Sequence, residues 1–338
     1  MVTIEDIARE AGVSATTVSN VIHGRTNKVS AYTVDLINEI IRERGYVPNL
    51  SARAMKTRSS KVVALINHLE SRDQEKFMSD PFFMDLTSAV EKALRERGYF
   101  LMIRAISESE DLLAFLRNWN VEGVFMPGLF EDEPFYQTLL GLKLPVVLTD
   151  SYVSNLGHMT NIGLQDFEGG RVATEHLIRN GHKRIVFAGP KVKPGGVVEQ
   201  RLLGYKQALT DNGIPFDPSL VYECEFSTTK MMELGGALAK REDITAVFAT
   251  ADILAAGIMS GLQQAGRMVP RDISIVGFDD INWARMTMPM LTTVHQDAVK
   301  KGRLAAECMI QLLEGESNQL QNRVLPVRLV ERHSVRKI

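Results

Sequence analysis

The side chains best suited to covalent or acid–base chemistry are scattered along the 338 residues. His176 and His182 lie six apart across a helix end, so they do not form the i, i+4 pair that a metal takes from one helix face. Surface or capping roles suit them better. Asp279 and Asp280 resemble a paired acid, but adjacent residues on one chain seldom converge on one substrate. Cys224 and Cys308 are the only cysteines, too few for a disulfide framework or a zinc site and in keeping with a reducing cytoplasm. The chain lacks a Gly-x-x-x-x-Gly-Lys-Ser/Thr loop, a Gly-x-Gly-x-x-Gly fingerprint, a His-Glu-x-x-His pair and a Gly-x-Ser-x-Gly elbow. No enzyme activity, catalytic residue, metal or cofactor is therefore expected.

Hydrogen-bonding and ionic chemistry, by contrast, is concentrated near the N-terminus. Ala15, Thr16, Ser19 and Asn20 fall on one side of a short helical pattern whose other side carries Val18, Val21 and Ile22. From Arg44 to Lys61 there are five basic residues (Arg44, Arg53, Lys56, Arg58, Lys61) and no acid. Net charge is −2 over the chain, but residues 1–61 hold nine Lys or Arg against six Asp or Glu, leaving the remainder at −5. A locally basic segment on an acidic body keeps phosphate attraction where a DNA reader needs it. Small polar side chains on a short helix suit the major groove. Two plainer readings share these patterns: a three-helix bundle with a solvated face, and a basic disordered tail.

Positioning those residues requires a small helical unit. Thr3-Ile4-Glu5-Asp6 reads as a capping box, followed by an apolar stripe of Ile4, Ile7, Ala8 and Ala11. Gly12 supplies a turn, Ser14 caps the second helix, and Ser30 caps a third with Val34, Ile37 and Ile41 inward and Gly45 at its C′ position. Two short helices joined by a tight turn and braced by a third make a helix-turn-helix.

These residues also carry a resemblance. Ile4-Glu5-Asp6-Ile7-Ala8, Ala11-Gly12-Val13-Ser14, Thr17-Val18-Ser19, Gly45-Tyr46-Val47-Pro48-Asn49 and Ala52-Arg53-Ala54-Met55-Lys56 are similar to the headpiece of the LacI/GalR repressor family. The resemblance implies that Ala15, Thr16 and Asn20 read bases while Thr17, Ser19 and Tyr46 lie near phosphates. It implies a hinge helix at 50–58 that forms on the operator. There Met55, where the family usually has Leu, wedges into the minor groove between Arg53 and Lys56. Off DNA the same segment reads as a linker.

Beyond Lys61 the period changes. Short apolar runs such as Val62–Asn67, Tyr99–Arg104, Val121–Pro127, Pro145–Thr149, Arg184–Gly189, Val221–Glu225, Thr245–Ala249 and Ser274–Phe278 alternate with helical patterns. About ten βα units predict parallel sheets in two similar α/β lobes with a ligand cleft at the strand ends. The resemblance continues through Gly181-His182-Lys183-Arg184-Ile185, Arg201-Leu202-Leu203-Gly204-Tyr205, Gly277-Phe278-Asp279 and Leu291–Gln296. It implies a type I periplasmic-binding-protein-like body of two lobes, with chain crossings near Gly163, Met290 and Gln321.

The resulting domain map has a headpiece at 1–49, a hinge at 50–60 and an effector-binding, dimerising body at 61–338. The N lobe is placed at about 61–162 and 291–320, the C lobe at about 163–290 and 321–338. The resemblance places effector contacts at Phe82, Phe83, Asp150, Arg201, Phe226, Ala251, Asp252 and Asp279. Phe82 and Phe83 could equally be core packing, and Asp279 a helix cap. Ala251 stands where sugar-responsive relatives often have Asn.

The reading that unites these features is a cytoplasmic, homodimeric, allosteric DNA-binding regulator. Its expected partners are a pseudo-palindromic double-stranded operator and a small molecule, a sugar or derivative. A ligand-binding protein with a vestigial headpiece, and an architectural DNA binder indifferent to small molecules, are the alternatives.

Overall fold

The computed structural model describes residues 2–46, 59–68, 80–131, 134–316 and 322–338, and the chain divides into units at Ser60/Lys61. The first unit begins with α1 (Ile4–Ala11), α2 (Ala15–Ile22) and α3 (Ala31–Glu43). Each start has a side-chain cap. The capping box of Thr3 and Asp6 is formed in both directions, Ser14 accepts from the Thr17 amide at 3.1 Å, and Ser30 accepts from the Thr33 amide at 3.1 Å. Gly12 adopts φ +65°, a left-handed turn open to glycine, and lets α2 leave at once. Past α3, Gly45 at φ +60° donates to the Arg42 carbonyl and Tyr46 to the Ile41 carbonyl, the paired bonds of a Schellman stop. Ile7, Ala8, Val18, Val21, Ile37 and Ile40 form the core of this unit. Val34 and Ile41 pack at its margin, while Ile40, absent from the sequence-predicted inward face, lies inside.

The second unit holds two six-stranded sheets. The first comprises β1 (Val62–His68), β2 (Phe100–Ile106), β3 (Gly123–Pro127), β4 (Val146–Thr149), β5 (Thr160–Leu164) and β11 (Asn322–Leu325), in the order β11-β5-β4-β3-β1-β2, every pair parallel. The second comprises β6 (Ile185–Gly189), β7 (Val221–Glu223), β8 (Ala246–Ala249), β9 (Ser274–Asp279), β10 (Thr292–His295) and β12 (Arg328–Val330), in the order β12-β10-β9-β8-β6-β7. Here β12 pairs antiparallel with β10 and the rest are parallel.

Four helices pack in two pairs: α4 (Pro81–Glu96) on α12 (Ala298–Leu313), and α7 (Asp166–Arg179) on α8 (Val197–Asp211). Here α5 (Ser109–Asn118) and α6 (Pro134–Leu140) precede α7, while α9 (Thr228–Leu238), α10 (Asp252–Gln264) and α11 (Trp283–Met286) precede α12. Gly170 and Gly204 let α7 and α8 meet backbone to backbone, since a Cβ on either would overlap the Arg201 or Phe167 carbonyl. That approach brings Arg201 of α8 beside Asp166 of α7.

Two predicted crossings are displaced. Leu291–Gln296 was assigned to the N lobe, but β10 pairs with β9 from Thr292↔Val276 to His295↔Asp279 in the second sheet. The chain passes to the N lobe only at Gln296–Asp297, after which α12 packs on α4. Asn322–Leu325 was assigned to the C lobe, yet β11 pairs with β5 in the first sheet, and the last crossing follows it. Both boundaries are set by strand pairing, with the preceding strand for β10 and with a strand far back in the chain for β11, which local patterning does not encode. The first passage follows Gly163, between β5 and α7.

Candidate functional site

In the first unit, α2 exposes Thr16 and half-exposes Ala15, Thr17, Ser19 and Asn20, while Val18 and Val21 hold it to the core. The Thr17 hydroxyl lies 2.9 Å from that of Ser14, so it helps fix the helix start. Tyr46 packs against the core, and burial together with Glu5 raises its phenol. Arg44 joins the end of α3 to α1 through Glu10 at 2.9 Å. Arg53, Met55 and Lys56 lie outside the described residues. The surface of α2 thus offers Thr16 and Asn20 as hydrogen-bonding groups and Ala15 as an apolar contact. Sequence reading passed over Tyr32, 77% exposed on the first turn of α3.

In the second unit several polar groups stand at the strand ends. Asp150 follows β4, Thr250 follows β8, Gln296 follows β10, and Asp279 closes β9. Asp150 and Asp279 hold φ angles of +52° and +114°, strained for non-glycine residues and characteristic of functional positions. Arg201 is buried, with Nε 2.8 Å and Nη2 2.7 Å from Asp166 Oδ1, and Nη1 donates to the Thr250 carbonyl at 2.6 Å. Its guanidinium stacks 3.6 Å from the centroid of Phe278. The Tyr152 hydroxyl donates to Asp166 Oδ2 at 2.6 Å, a link from the N lobe into α7. Lys301, wholly buried on α12, donates to Asp150 at 2.6 and 2.8 Å and to Gln296 Oε1 at 3.0 Å. Gln296 Nε2 in turn donates to Asp279 Oδ1 at 2.6 Å.

Burial governs the electrostatics. It raises the Asp150 carboxyl against the pull of Lys301, and it pushes Asp279 up to about 7 against the pull of Arg201, with Asp80 adding repulsion. Burial also raises Asp80, which caps α4 by accepting from the Phe82 amide at 3.0 Å. Arg201 and Lys301 each face a partner acid, whereas Asp80 and Asp279 have only neutral donors among their hydrogen bonds to the described residues. The cleft is therefore rich in acceptors for hydroxyl or amine donors.

The predicted contacts do not share one environment. Asp150 and Asp279 belong to one hydrogen-bonded chain through Lys301 and Gln296, and Arg201 to a second with Asp166 and Tyr152. Phe82 and Phe83 sit on the first turn of α4; both pack against the core, and the Phe82 ring also lies 5.2 Å from Lys301 Nζ. Asp252 is wholly buried with both oxygens engaged, Oδ1 by the Thr293 hydroxyl at 2.5 Å and Oδ2 by the Ile281 amide at 3.0 Å, so it braces the C lobe. Ala251 precedes it, buried, with no polar group to offer. Phe226 is 48% exposed after β7 and is not drawn into the network.

Tyr152, Asp166, Thr250, Gln296 and Lys301 escaped sequence reading. For Lys301 a signal existed: it shares the buried stripe of α12 with Ala305 and Cys308, where a lysine requires an acid partner.

Residues 3–49 match the bacterial regulatory proteins of the lacI family, and residues 174–335 match the periplasmic binding protein-like domain. The chain is 35% identical over 347 residues to the HTH-type transcriptional regulator CelR of Thermobifida fusca, covering 98% of each. A solved CelR–cellobiose complex is similar with TM-score 0.73 and 30% identity, over 99% of this chain and 100% of that one. The lac repressor dimer bound to operator and the anti-inducer ONPF gives TM-score 0.82 at 26% identity, over 99% of each chain. The helix-turn-helix, the two-sheet body and these full-length similarities lead to one conclusion: the chain belongs to the lacI family of bacterial transcriptional regulators.

Proposed function

We propose that this protein is a repressor of a carbohydrate-related operon, working in the cytoplasm and controlled by a hydroxyl-rich small molecule bound between the two lobes. The observation that carries the reading is the pair of positive-φ acids Asp150 and Asp279 at strand ends together with buried Arg201, on a chain that also bears an exposed polar helix of the lacI type. Relatives named for cellobiose and ribose complexes support the ligand class. In this reading Asn20 and Thr16 bond base edges, Ala15 touches a thymine methyl, and Thr17, Ser19 and Tyr46 approach phosphates. Arg53, Met55 and Lys56 serve the hinge, and Phe82, Asp150, Arg201 and Asp279 meet the effector.

A homodimer on a pseudo-palindromic site multiplies two weak half-site affinities. Trp283, Met286, Met288 and Met290 are 46%, 71%, 92% and 38% exposed, an apolar run that a second copy would cover. The test is to sequence genomic fragments retained by the purified protein and footprint the best one. A protected pseudo-palindrome beside sugar-utilisation genes is expected; retention without a shared sequence, even with cell extract added, removes the specific-repressor reading.

A further inference from the structure

The polar chain Asp150–Lys301–Gln296–Asp279 runs from one lobe to the other without a gap. Asp150 directly follows β4 of the first sheet and Lys301 lies on α12, which packs on that lobe; Asp279 ends β9 of the second. Gln296, only 4% exposed, is the link between them, and its amide has one possible orientation. Its oxygen must face the Lys301 ammonium, a donor only, and its nitrogen must face the Asp279 carboxylate. All three Lys301 hydrogens are taken by Asp150 and Gln296. Gln296 also occupies the crossing segment itself, immediately after β10 and before α12, so a rotation of the lobes acts on this residue directly.

We propose that Gln296 is a positioning residue, a clasp that holds the two lobes in one mutual orientation until a ligand takes over its bonds. The inference rests on the cleft being the effector site. To replace the clasp, a ligand must offer Lys301 an acceptor and Asp279 a donor from neighbouring atoms, the pattern of adjacent hydroxyl groups. A merely structural glutamine would contribute stability without governing how the lobes are arranged.

The experiment places nitroxide labels on the full chain at Lys92→Cys and Lys240→Cys, exposed positions on α4 and just beyond α9. The two native cysteines are buried. Labelled chain is diluted into unlabelled chain, and the distance between lobes is read by pulsed dipolar spectroscopy without ligand. Wild type is expected to give one narrow distance. Gln296→Leu, close in size, is expected to raise a second distance at least fivefold. A wild-type distribution in that variant overturns the proposal. If Gln296→Leu does not fold, Gln296→Glu is read the same way, because it keeps the acceptor for Lys301 and sets a second carboxylate against Asp279. Failure of wild type to protect any DNA site would sink the repressor reading and leave this distance measurement standing.

Discussion

In the headpiece, Asn20 stands on an eight-residue helix whose cap, Ser14, is six residues away. In the body, Lys301 meets Asp150 across 151 residues of chain. Among the described residues, the first unit keeps Ala15, Thr16, Ser19 and Asn20 at the surface of α2, over a six-residue core. The second buries Arg201 and Asp279, half-buries Asp150, and gives each a hydrogen-bonding partner. The difference teaches where stability and function are separable. Under the proposed function, changing a surface side chain such as Asn20 alters base reading with little effect on the fold, whereas changing a buried acid such as Asp279 alters ligand recognition and stability together.

The strongest way to sharpen this contrast is Lys301→Met. Removing one partner of a buried ion pair leaves Asp150 uncompensated and is expected to cost about 3–5 kcal/mol. Denaturant unfolding should show the loss in the body alone; a loss under about 1 kcal/mol would mean that Asp150 finds water or another partner.

Next comes pH. The folded state lifts the Asp279 carboxyl from its ordinary value of 3.8 to about 7, so folding takes up a proton in that window. Stability from this group is full below the unfolded value and declines as pH rises towards about 7, with a slope of at most about 1.4 kcal/mol per pH unit for one proton. Asp279→Asn should flatten that part of the stability profile of the body, and an unchanged slope would assign it to other acids such as Asp80.

Asn20→Ala tests the opposite regime. It should weaken the cognate site by about 1–3 kcal/mol in binding titrations, with a stability change within about 0.5 kcal/mol. Equal losses on random DNA would take Asn20 out of the reading set and erase the separation drawn above. The smallest effect belongs to Ser14→Ala, which removes the cap of α2 and should lower headpiece stability by about 1 kcal/mol in thermal melts. Because Ser14 also holds the Thr17 hydroxyl, affinity should fall for all sequences alike.

The three headpiece helices were legible because caps, glycine stops and a 3.6-residue stripe are written within a few neighbouring residues. The capping box, Ser14, Ser30 and Gly45 all act where the spacing placed them. The alternating body elements and the two sheet-bearing lobes were legible for the same reason, while Asp150, Arg201 and Asp279 were singled out only by their resemblance to family positions. Asp252 illustrates the limit: its place at the start of a helix was readable, but its engagement by Thr293 was not.

By itself, then, the sequence determined the local elements, the helix-turn-helix and the lobed α/β class, since each follows from short-range hydrogen bonding and periodicity. Tertiary structure alone decided that β10 belongs to the second sheet and β11 to the first. It alone placed Tyr152 on Asp166 and Gln296 between Lys301 and Asp279. The physical reason is that strand pairing and charge burial join residues distant in the chain, and a low-dielectric cleft fixes partners by position in space.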